Sequence, residues 1–380
     1  MTISGLNIPY NGIIPVSPDK EIFPEFRSYV PSMMRDYSQI SDTAKAVECF
    51  VEPRILSYLE SIQTTLADIP EGTPFILADY GAADGVNSSK LFEDIIRFIR
   101  TINPSLRIRL LYVDIADPVP FNQFWKRSSL CELDNIEAEY IRRSFYESLG
   151  ISGNIHIGFS STSLHWLDTK TVPAAFFRHP TCIQANQLSG SDRRKFVEKW
   201  KSDWRIFFRE RSHELVDGGM LFLANLTNFG GDRWPASAGY DNLRDICCSL
   251  YKEGRISQEE MLAIFIPDYF ATPAEMKNLV EEDAVRQSFS LKYMDTVTIP
   301  CAYFSRICGS LEDAGQRRQL ACSLARVVRA WSESSLRVGL SPDNSGLVDE
   351  IYARLEDRFF EVPKGLPYQY CLMGLAKKTT

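Results

Sequence analysis

An acidic turn that contains two glycines is the first feature of this sequence whose residue types could do chemistry. Asp79 ends a short apolar run, residues 75–80 (FILADY), and Gly81, Gly85 and Asn87 follow it. The glycines would let the backbone approach a ligand without a colliding side chain. The turn lacks the GxGxxG order that cradles a pyrophosphate, and its acids would repel one. It therefore indicates a cationic or hydroxyl-bearing ligand, or else an ordinary tight connection between a strand and a helix.

A second acid, Asp114, ends the next apolar run, residues 106–115 (LRIRLLYVDI). In doubly wound α/β folds a carboxylate at this position is the usual partner of ribose hydroxyls, although the same residue type also caps helices and loops. Asp79, Asp114 and a glycine turn that is unsuited to phosphate together favour S-adenosylmethionine. That molecule carries a nucleoside, an ammonium and a sulfonium, and it has no phosphate.

The elements that must position these acids alternate along the chain. Strands are predicted near 75–80, 106–115, 154–159 and 220–224, with helices at 42–67, after Asn87, and at 192–216, where the helix closes at Asp217-Gly218-Gly219. Such alternation is typical of a mainly parallel α/β sheet. The rest of the chain is predicted to be mainly helical (238–253, 273–283, 311–337, 346–360), with late strands at 287–299 and 367–376.

Composition excludes several other classes of protein. The 380 residues are 44% hydrophobic and carry a net charge of −7, which argues against a disordered chain and against nucleic acid as a partner. The nine cysteines contain no CxxC pair, so neither a disulfide framework nor a zinc site is expected, and no metal site is predicted. The sequence shows no signal-peptide pattern and no long apolar stretch, so we expect a reduced, cytoplasmic protein without a membrane partner.

Several further segments extend the pattern in order along the chain. They are residues 143–146 (RSFY), 161–167 (STSLHWL), 209–219 (RERSHELVDGG), 265–269 (FIPDY) and 328–330 (VRA). Together with the turn at 79–87 and Val113-Asp114-Ile115, they resemble the SABATH methyltransferases over about residues 37–376. These enzymes transfer a methyl group from S-adenosylmethionine to carboxylates or ring nitrogens. The resemblance implies a Rossmann-like class I methyltransferase sheet with a mainly helical cap.

The same resemblance implies roles for individual residues. Those implied for S-adenosylmethionine, with S-adenosylhomocysteine as its product, are Tyr37 and Ser41 in an N-terminal segment that closes over the cofactor, Asp79 and Asn87 at the methionine moiety, Asp114 at the ribose, and Ser144 and Phe145 at the adenine. Gly81 and Ile115 are implied as further cofactor-binding residues. Those implied for the acceptor are Thr162, His165, Trp166 and Tyr240. Without the family, Phe145 would read as core and the His-Trp pair as satisfied interior residues.

The predicted activity is methyl ester formation on a small-molecule carboxylic acid. A carboxylate is already ionised near neutral pH, so the prediction includes no catalytic base, only residues that position the acceptor. Two departures from the family bear on the acceptor: Thr162 replaces an aromatic residue, and the family's N-terminal glutamine falls near Ala44. N-methylation of a heterocycle or amine therefore stays open. A non-catalytic cofactor-binding relative and, more distantly, a nicotinamide oxidoreductase are the remaining alternatives.

The predicted organisation has three parts. Residues 1–36 form an irregular lead-in, and residues 37–230 form the α/β core, completed by 287–310 and 364–380. Residues 231–286 and 311–363 form the helical cap over the acceptor. The resemblance further implies a homodimer.

Overall fold

The computed structural model of the chain describes residues 42–230 and 234–379, with the side chains of 42–45 left aside. Tyr37 and Ser41 therefore lie outside the described residues, and the predictions made for them stay predictions. So does the predicted lead-in at 1–36.

The described chain alternates strands and helices, as the sequence predicts. The strands are β1 Phe75–Tyr80, β2 Ile108–Asp114, β3 Ile136–Arg142, β4 Ile155–Ser161, β5 Leu215–Leu226, β6 Phe289–Ile299 and β7 Tyr368–Lys377. The helices are α1 Asp42–Ser61, α2 Gln63–Ala67, α3 Ser89–Ile102, α4 Pro118–Trp125, α5 Gly190–Glu214, α6 Ser237–Lys252, α7 Gln258–Ala263, α8 Pro273–Val280, α9 Asp283–Arg286, α10 Ala302–Ile307, α11 Ala314–Gly339 and α12 Leu347–Glu361.

All seven strands join one sheet in the order β3-β2-β1-β4-β5-β7-β6. The first five run parallel, and β7 is antiparallel to both of its neighbours, β5 and β6. Every residue of β1 is buried, which explains why its sequence is a continuous apolar run rather than an alternating one. The carboxyl ends of β1, β2 and β4 consequently meet at one edge, where ligands bind in open α/β sheets.

Two details of the sequence prediction are wrong. No strand was expected at Ile136–Arg142, yet these residues form β3 at the edge of the sheet, where Glu137 pairs with Arg107 of the loop before β2. Helix α5 ends at Glu214 and does not extend to the glycines. Leu215 already pairs with Ile155 of β4, so the Asp217-Gly218-Gly219 segment belongs to β5.

The helices cover both faces of the sheet. Helices α1 and α3 share one apolar core with the later helices α6, α11 and α12, whereas α5 lies in a second core with Trp200, Trp204 and Phe207 fully buried. Within the described ranges, no helix is both long enough and apolar enough to cross a membrane.

Candidate functional site

One cavity lies at the carboxyl ends of β1, β2 and β4, and we name it the strand-tip cavity. It is lined by the seven described residues that the sequence assigned to the cofactor: Asp79, Gly81, Asn87, Asp114, Ile115, Ser144 and Phe145. Thr162 and Trp166, which were assigned to the acceptor, line it as well. The structure therefore brings together, in one cavity, residues that are far apart in the sequence.

Asp79, at the end of β1, is a buried carboxyl group with only 4% of its surface exposed. The Ser88 hydroxyl donates a hydrogen bond to its Oδ2 at 2.5 Å. Burial raises the pKa of Asp79 to about 7; the Ser88 hydrogen bond opposes the rise, and the charge of Asp114 adds to it. The nearby Asn87 Oδ1 is buried and accepts no hydrogen bond from the described residues. Two acceptors, one of them titratable, thus line the cavity where a cationic donor would be stabilised.

Asp114, the last residue of β2, joins the two strand ends. Its Oδ2 accepts a hydrogen bond from the backbone N–H of Ala83 at 2.8 Å, and its Oδ1 accepts one from Ala116 at 2.9 Å. Burial raises the pKa of Asp114, and the N–H groups of Ala116 and Ala83 oppose that rise. The Asp114 side chain therefore caps loops, which is the role that the sequence analysis gave as the alternative to ribose binding. It lines the strand-tip cavity at the same time.

The two glycines of the turn make room for neighbouring protein side chains, whereas the sequence analysis expected them to make room for a ligand. Gly81 has a φ of +88°, and a Cβ added to it would lie 2.2 Å from the Ser163 hydroxyl oxygen. A Cβ at Gly85, where φ is +78°, would crowd the rings of Phe121 and Phe124 at 3.1 Å. Both positions need glycine because of protein neighbours and backbone conformation. Gly81 still lines the cavity, whereas Gly85 is not among its lining residues.

Ser144 and Phe145 follow β3 in a loop rather than a helix, and a buried ion pair on α5 holds that loop. Arg211 donates hydrogen bonds to the carbonyl of Phe145 at 2.5 Å and to that of Glu147 at 2.9 Å. Its partner Glu214 accepts one from the backbone N–H of Leu149 at 2.8 Å. Both charged side chains are fully buried. The motif at 209–219 therefore positions the loop that presents Ser144 and Phe145.

The segment that follows β4 turns sharply and then pairs with a distant loop. Thr162 has a φ of +58°, unusual for a residue with a β-branched side chain. The carbonyl of His165 accepts a hydrogen bond from Tyr269, and that of Trp166 accepts one from the Tyr146 hydroxyl at 2.7 Å. These bonds place Trp166 beside the strand-tip cavity and fix the backbone on which it stands.

A second cavity lies on the other side of this segment, and we name it the cap cavity. The acceptor residues predicted from the sequence all line it, namely Thr162, His165, Trp166 and Tyr240. Thr162 and Trp166 line both cavities, so the two spaces adjoin at these side chains. The Tyr240 hydroxyl donates to Oδ2 of the fully buried Asp268 at 2.5 Å. Burial raises the pKa of Asp268 to about 7, although hydrogen bonds from Tyr240 and Gln184 oppose the rise.

Part of the wall of the cap cavity was not predicted from the sequence. Phe270, Trp331 and Tyr368 line it, and the Trp331 ring stacks on Tyr240 with centroids 4.3 Å apart. Two of them directly follow segments that the sequence analysis singled out: Phe270 follows residues 265–269, and Trp331 follows residues 328–330. Burial lowers the pKa of His165 to about 3, so this imidazole is neutral near pH 7.

The chemistry of the strand-tip cavity fits a nucleoside-bearing cation. The strand-tip cavity offers carboxylates to an ammonium and to hydroxyls, and an aromatic side chain, Phe145, to a base. Among the described residues, no cluster of three or more His, Cys, Asp or Glu side chains could hold a metal ion.

Comparisons with known proteins identify the family of this chain. The sequence profile of a family described as SAM dependent carboxyl methyltransferase matches residues 33–368. Jasmonate O-methyltransferase of Arabidopsis thaliana is 25% identical over 62% of this chain and 68% of its own length. 3,7-Dimethylxanthine N-methyltransferase 2 of Coffea arabica is 24% identical over 60% of this chain and 63% of its own length. The matched segment thus spans about two thirds of the length of these curated relatives.

The fold has a counterpart among solved structures. The structure of loganic acid methyltransferase with SAH covers 91% of this chain and 97% of its own, at a TM-score of 0.68 and 19% sequence identity. This similarity confirms the class I methyltransferase fold that the sequence predicted. Because the family profile spans most of the sequence, the chain belongs to the S-adenosylmethionine-dependent carboxyl methyltransferase (SABATH) family.

Proposed function

We propose that this chain transfers a methyl group from S-adenosylmethionine to the carboxylate of a small-molecule acid and so forms a methyl ester. The observation that carries the proposal is the position of Trp166 and Thr162 in the walls of both cavities. A donor in the strand-tip cavity and an acceptor in the cap cavity would meet only there.

The residues of the strand-tip cavity have separate tasks in this proposal. Asp79 and Asn87 bind the ammonium of the methionine moiety, and Asp114 binds the ribose hydroxyls while it holds the turn at Ala83. Ile115, Ser144 and Phe145 enclose the adenine. S-adenosylmethionine supplies, when bound, a methyl group on a positively charged sulfur.

The chain orients the acceptor and excludes water from it. Trp166 donates its indole N–H to the acceptor carboxylate, and the rings of Tyr240 and Phe270 form apolar walls. Because the carboxylate and the sulfonium both lose their charge as the methyl moves, surroundings of low polarity stabilise the transition state relative to the separated ions. His165 does not need to take a proton, and its low pKa makes it a poor base.

The same property of His165 bears on N-methylation, the runner-up. A ring nitrogen that carries a proton needs a base, whereas a carboxylate is ionised without one. Among the described residues that line the cap cavity, His165 alone has an imidazole, and burial lowers its pKa to about 3. This observation favours the carboxylate as the acceptor.

The test is transfer of a labelled methyl group from S-adenosylmethionine by the purified chain to a broad panel of carboxylic acids, with amines and N-heterocycles in parallel. The proposal expects base-labile methyl esters, identified by mass spectrometry. Label on nitrogen alone would establish the runner-up. Tight cofactor binding without any product would establish a non-catalytic relative.

The homodimer and the cytoplasmic location expected from the sequence remain proposals. Light scattering after gel filtration tests the first, and fractionation of cells that express the chain tests the second.

A further inference from the structure

Two buried polar atoms belong to side chains that line the cap cavity and have no hydrogen-bond partner among the described residues. They are Nε1 of Trp331 and Nδ1 of His165. The two residues are 6% and 4% exposed. A buried donor without a partner costs about 1–3 kcal/mol, so such groups are normally satisfied by water or by a ligand.

The position of Trp331 in a cavity wall distinguishes it from the buried tryptophans of α5. Nε1 of Trp200 also has no partner in the described chain, but Trp200 lies in the core and lines neither the strand-tip nor the cap cavity. Nε1 of Trp204 donates to the carbonyl of Leu164 at 2.9 Å. Of these three tryptophans, Trp331 is the one that lines the cap cavity and whose N–H has no partner among the described residues.

Packing fixes the orientation of the Trp331 ring. Tyr240 stacks on one of its faces, with an angle of 26° between the ring planes, and the Tyr240 hydroxyl is held in turn by Asp268. Nε1–H lies in the plane of the ring, so it donates along that plane and not toward the face that Tyr240 covers. An indole N–H donates only, so its partner must carry an accepting atom.

The charges around the cap cavity decide which acceptor atom fits. Among the described residues that line it there is no lysine or arginine, and His165 is neutral because burial lowers its pKa. Asp268 stands directly behind Tyr240. A carboxylate placed near Trp331 would be desolvated without a counter-charge, which is costly. An uncharged oxygen has no such cost, and a hydroxyl can in addition hydrogen-bond to the neutral imidazole.

We propose that the acceptor is a bifunctional acid: one end is the carboxylate that is methylated beside Trp166, and the remote end carries an uncharged hydroxyl or carbonyl oxygen that accepts a hydrogen bond from Trp331. Trp331 lines the cap cavity and not the strand-tip cavity, so the oxygen lies away from the transferring methyl group. This inference rests on the proposed carboxyl methylation and names a substrate class for it.

The test compares matched acids that differ only at the remote end. Suitable sets are benzoic and 4-hydroxybenzoic acid, cinnamic and 4-hydroxycinnamic acid, and octanoic acid with its 8-hydroxy and 7-oxo derivatives. In at least one set the wild-type chain should have a kcat/KM about threefold to tenfold higher for the oxygenated acid, the factor that one neutral hydrogen bond provides. Trp331→Phe keeps an aromatic ring against Tyr240 and removes the N–H, so the ratio should fall toward one.

Trp200→Phe is the matched control, because it removes a buried indole N–H that lines neither cavity; it should leave the ratio of the two kcat/KM values unchanged. An equal loss for both acids in Trp331→Phe would show a structural role and overturn the inference. The wild-type measurement is decisive even if a variant fails to fold. If wild type shows no preference for oxygenated acids, that result by itself overturns the inference. If no acid is methylated at all, the proposed function itself has failed. If acids are methylated without this preference, only the inference has.

Discussion

The carboxylate of Asp114 accepts a hydrogen bond from the backbone N–H of Ala83 at 2.8 Å, so the acid that ends β2 also shapes the turn that follows β1. Ala83 has a φ of +51°, a conformation that residues with side chains seldom adopt. A residue proposed to bind ribose is thus part of the scaffold that places Asp79 and Asn87. Substitutions at Asp114 should consequently affect both stability and cofactor binding.

Asp114→Ala should lower the free energy of unfolding by about 1–3 kcal/mol, because two backbone N–H groups lose their acceptor. It should also weaken S-adenosylhomocysteine binding by about 10- to 100-fold, since hydrogen bonds to a charged group contribute about 1.5–3 kcal/mol. Urea unfolding and calorimetry measure the two effects. Asp117→Ala is the matched control: Asp117 caps α4 through Val119 and does not line the cavity, so only stability should fall. Unchanged affinity in Asp114→Ala would refute the ribose assignment.

Cofactor binding should depend on pH through Asp79. Its pKa of about 7 means that the unliganded chain protonates this carboxyl near neutrality, and only the ionised form attracts the ammonium of the cofactor. The affinity for S-adenosylhomocysteine should be highest above pH 7 and should fall by up to about tenfold for each pH unit below it. Calorimetry between pH 5.5 and 8.5 measures the slope. Asp79→Asn should bind weakly with no slope, and a wild-type profile equally flat would contradict the assignment.

Asp79 should also make the unliganded chain less stable at alkaline pH. Its pKa is higher in the folded chain than in the unfolded chain, so the folded state binds more protons. The contribution of Asp79 to stability is therefore fully present below about pH 4 and is lost as the pH rises through about 7. Asp79→Asn should accordingly be more stable than wild type at pH 8, by roughly 2–4 kcal/mol, and the gain should shrink toward pH 5. Urea unfolding at several pH values tests this, and a variant less stable than wild type at pH 8 would be incompatible with it.

Much of the fold could be predicted because its signals are local. Continuous apolar runs identify β1 and β2, and helical spacing identifies α5. Strand β3 was missed because it lies at the sheet edge and has no apolar run. Its glutamates face solvent and pair with Arg107, just before β2, and with Arg109 of β2. The end of α5 was misplaced because Leu215 pairs with Ile155 of β4 and so belongs to β5. No local sequence pattern encodes this long-range contact.

The Arg211–Glu214 pair should be needed both for stability and for the loop of Ser144 and Phe145. Arg211→Met should lower the free energy of unfolding by about 3–5 kcal/mol, since Glu214 would keep a buried charge without its partner. Arg211→Met combined with Glu214→Leu should recover part of that loss and yet still bind S-adenosylhomocysteine weakly, because the carbonyls of Phe145 and Glu147 remain without their donor. Normal affinity in the double variant would show that the loop is held by other contacts.

The site was predictable where its residues follow strands and less so where distant helices supply them. The acids that end β1 and β2 could be identified from the sequence because strand ends are recognisable there. Trp331 could not, because it reaches the cap cavity only when α11 packs beside α6, and its place in an apolar helical stripe looks like ordinary core. The two glycines were recognised from the sequence, but the reason why these positions need glycine was not. Ser163 and the rings beside Gly85, which leave no room for a side chain, come from other parts of the chain.

The most direct test of the account is a crystal structure of the chain with S-adenosylhomocysteine and an acid that it methylates. We predict that the ribose hydroxyls lie within hydrogen-bonding distance of Asp114 and that the acid carboxylate lies at the indole N–H of Trp166, between the two cavities. A ligand bound elsewhere, or an acid whose carboxylate lies away from Trp166, would contradict it.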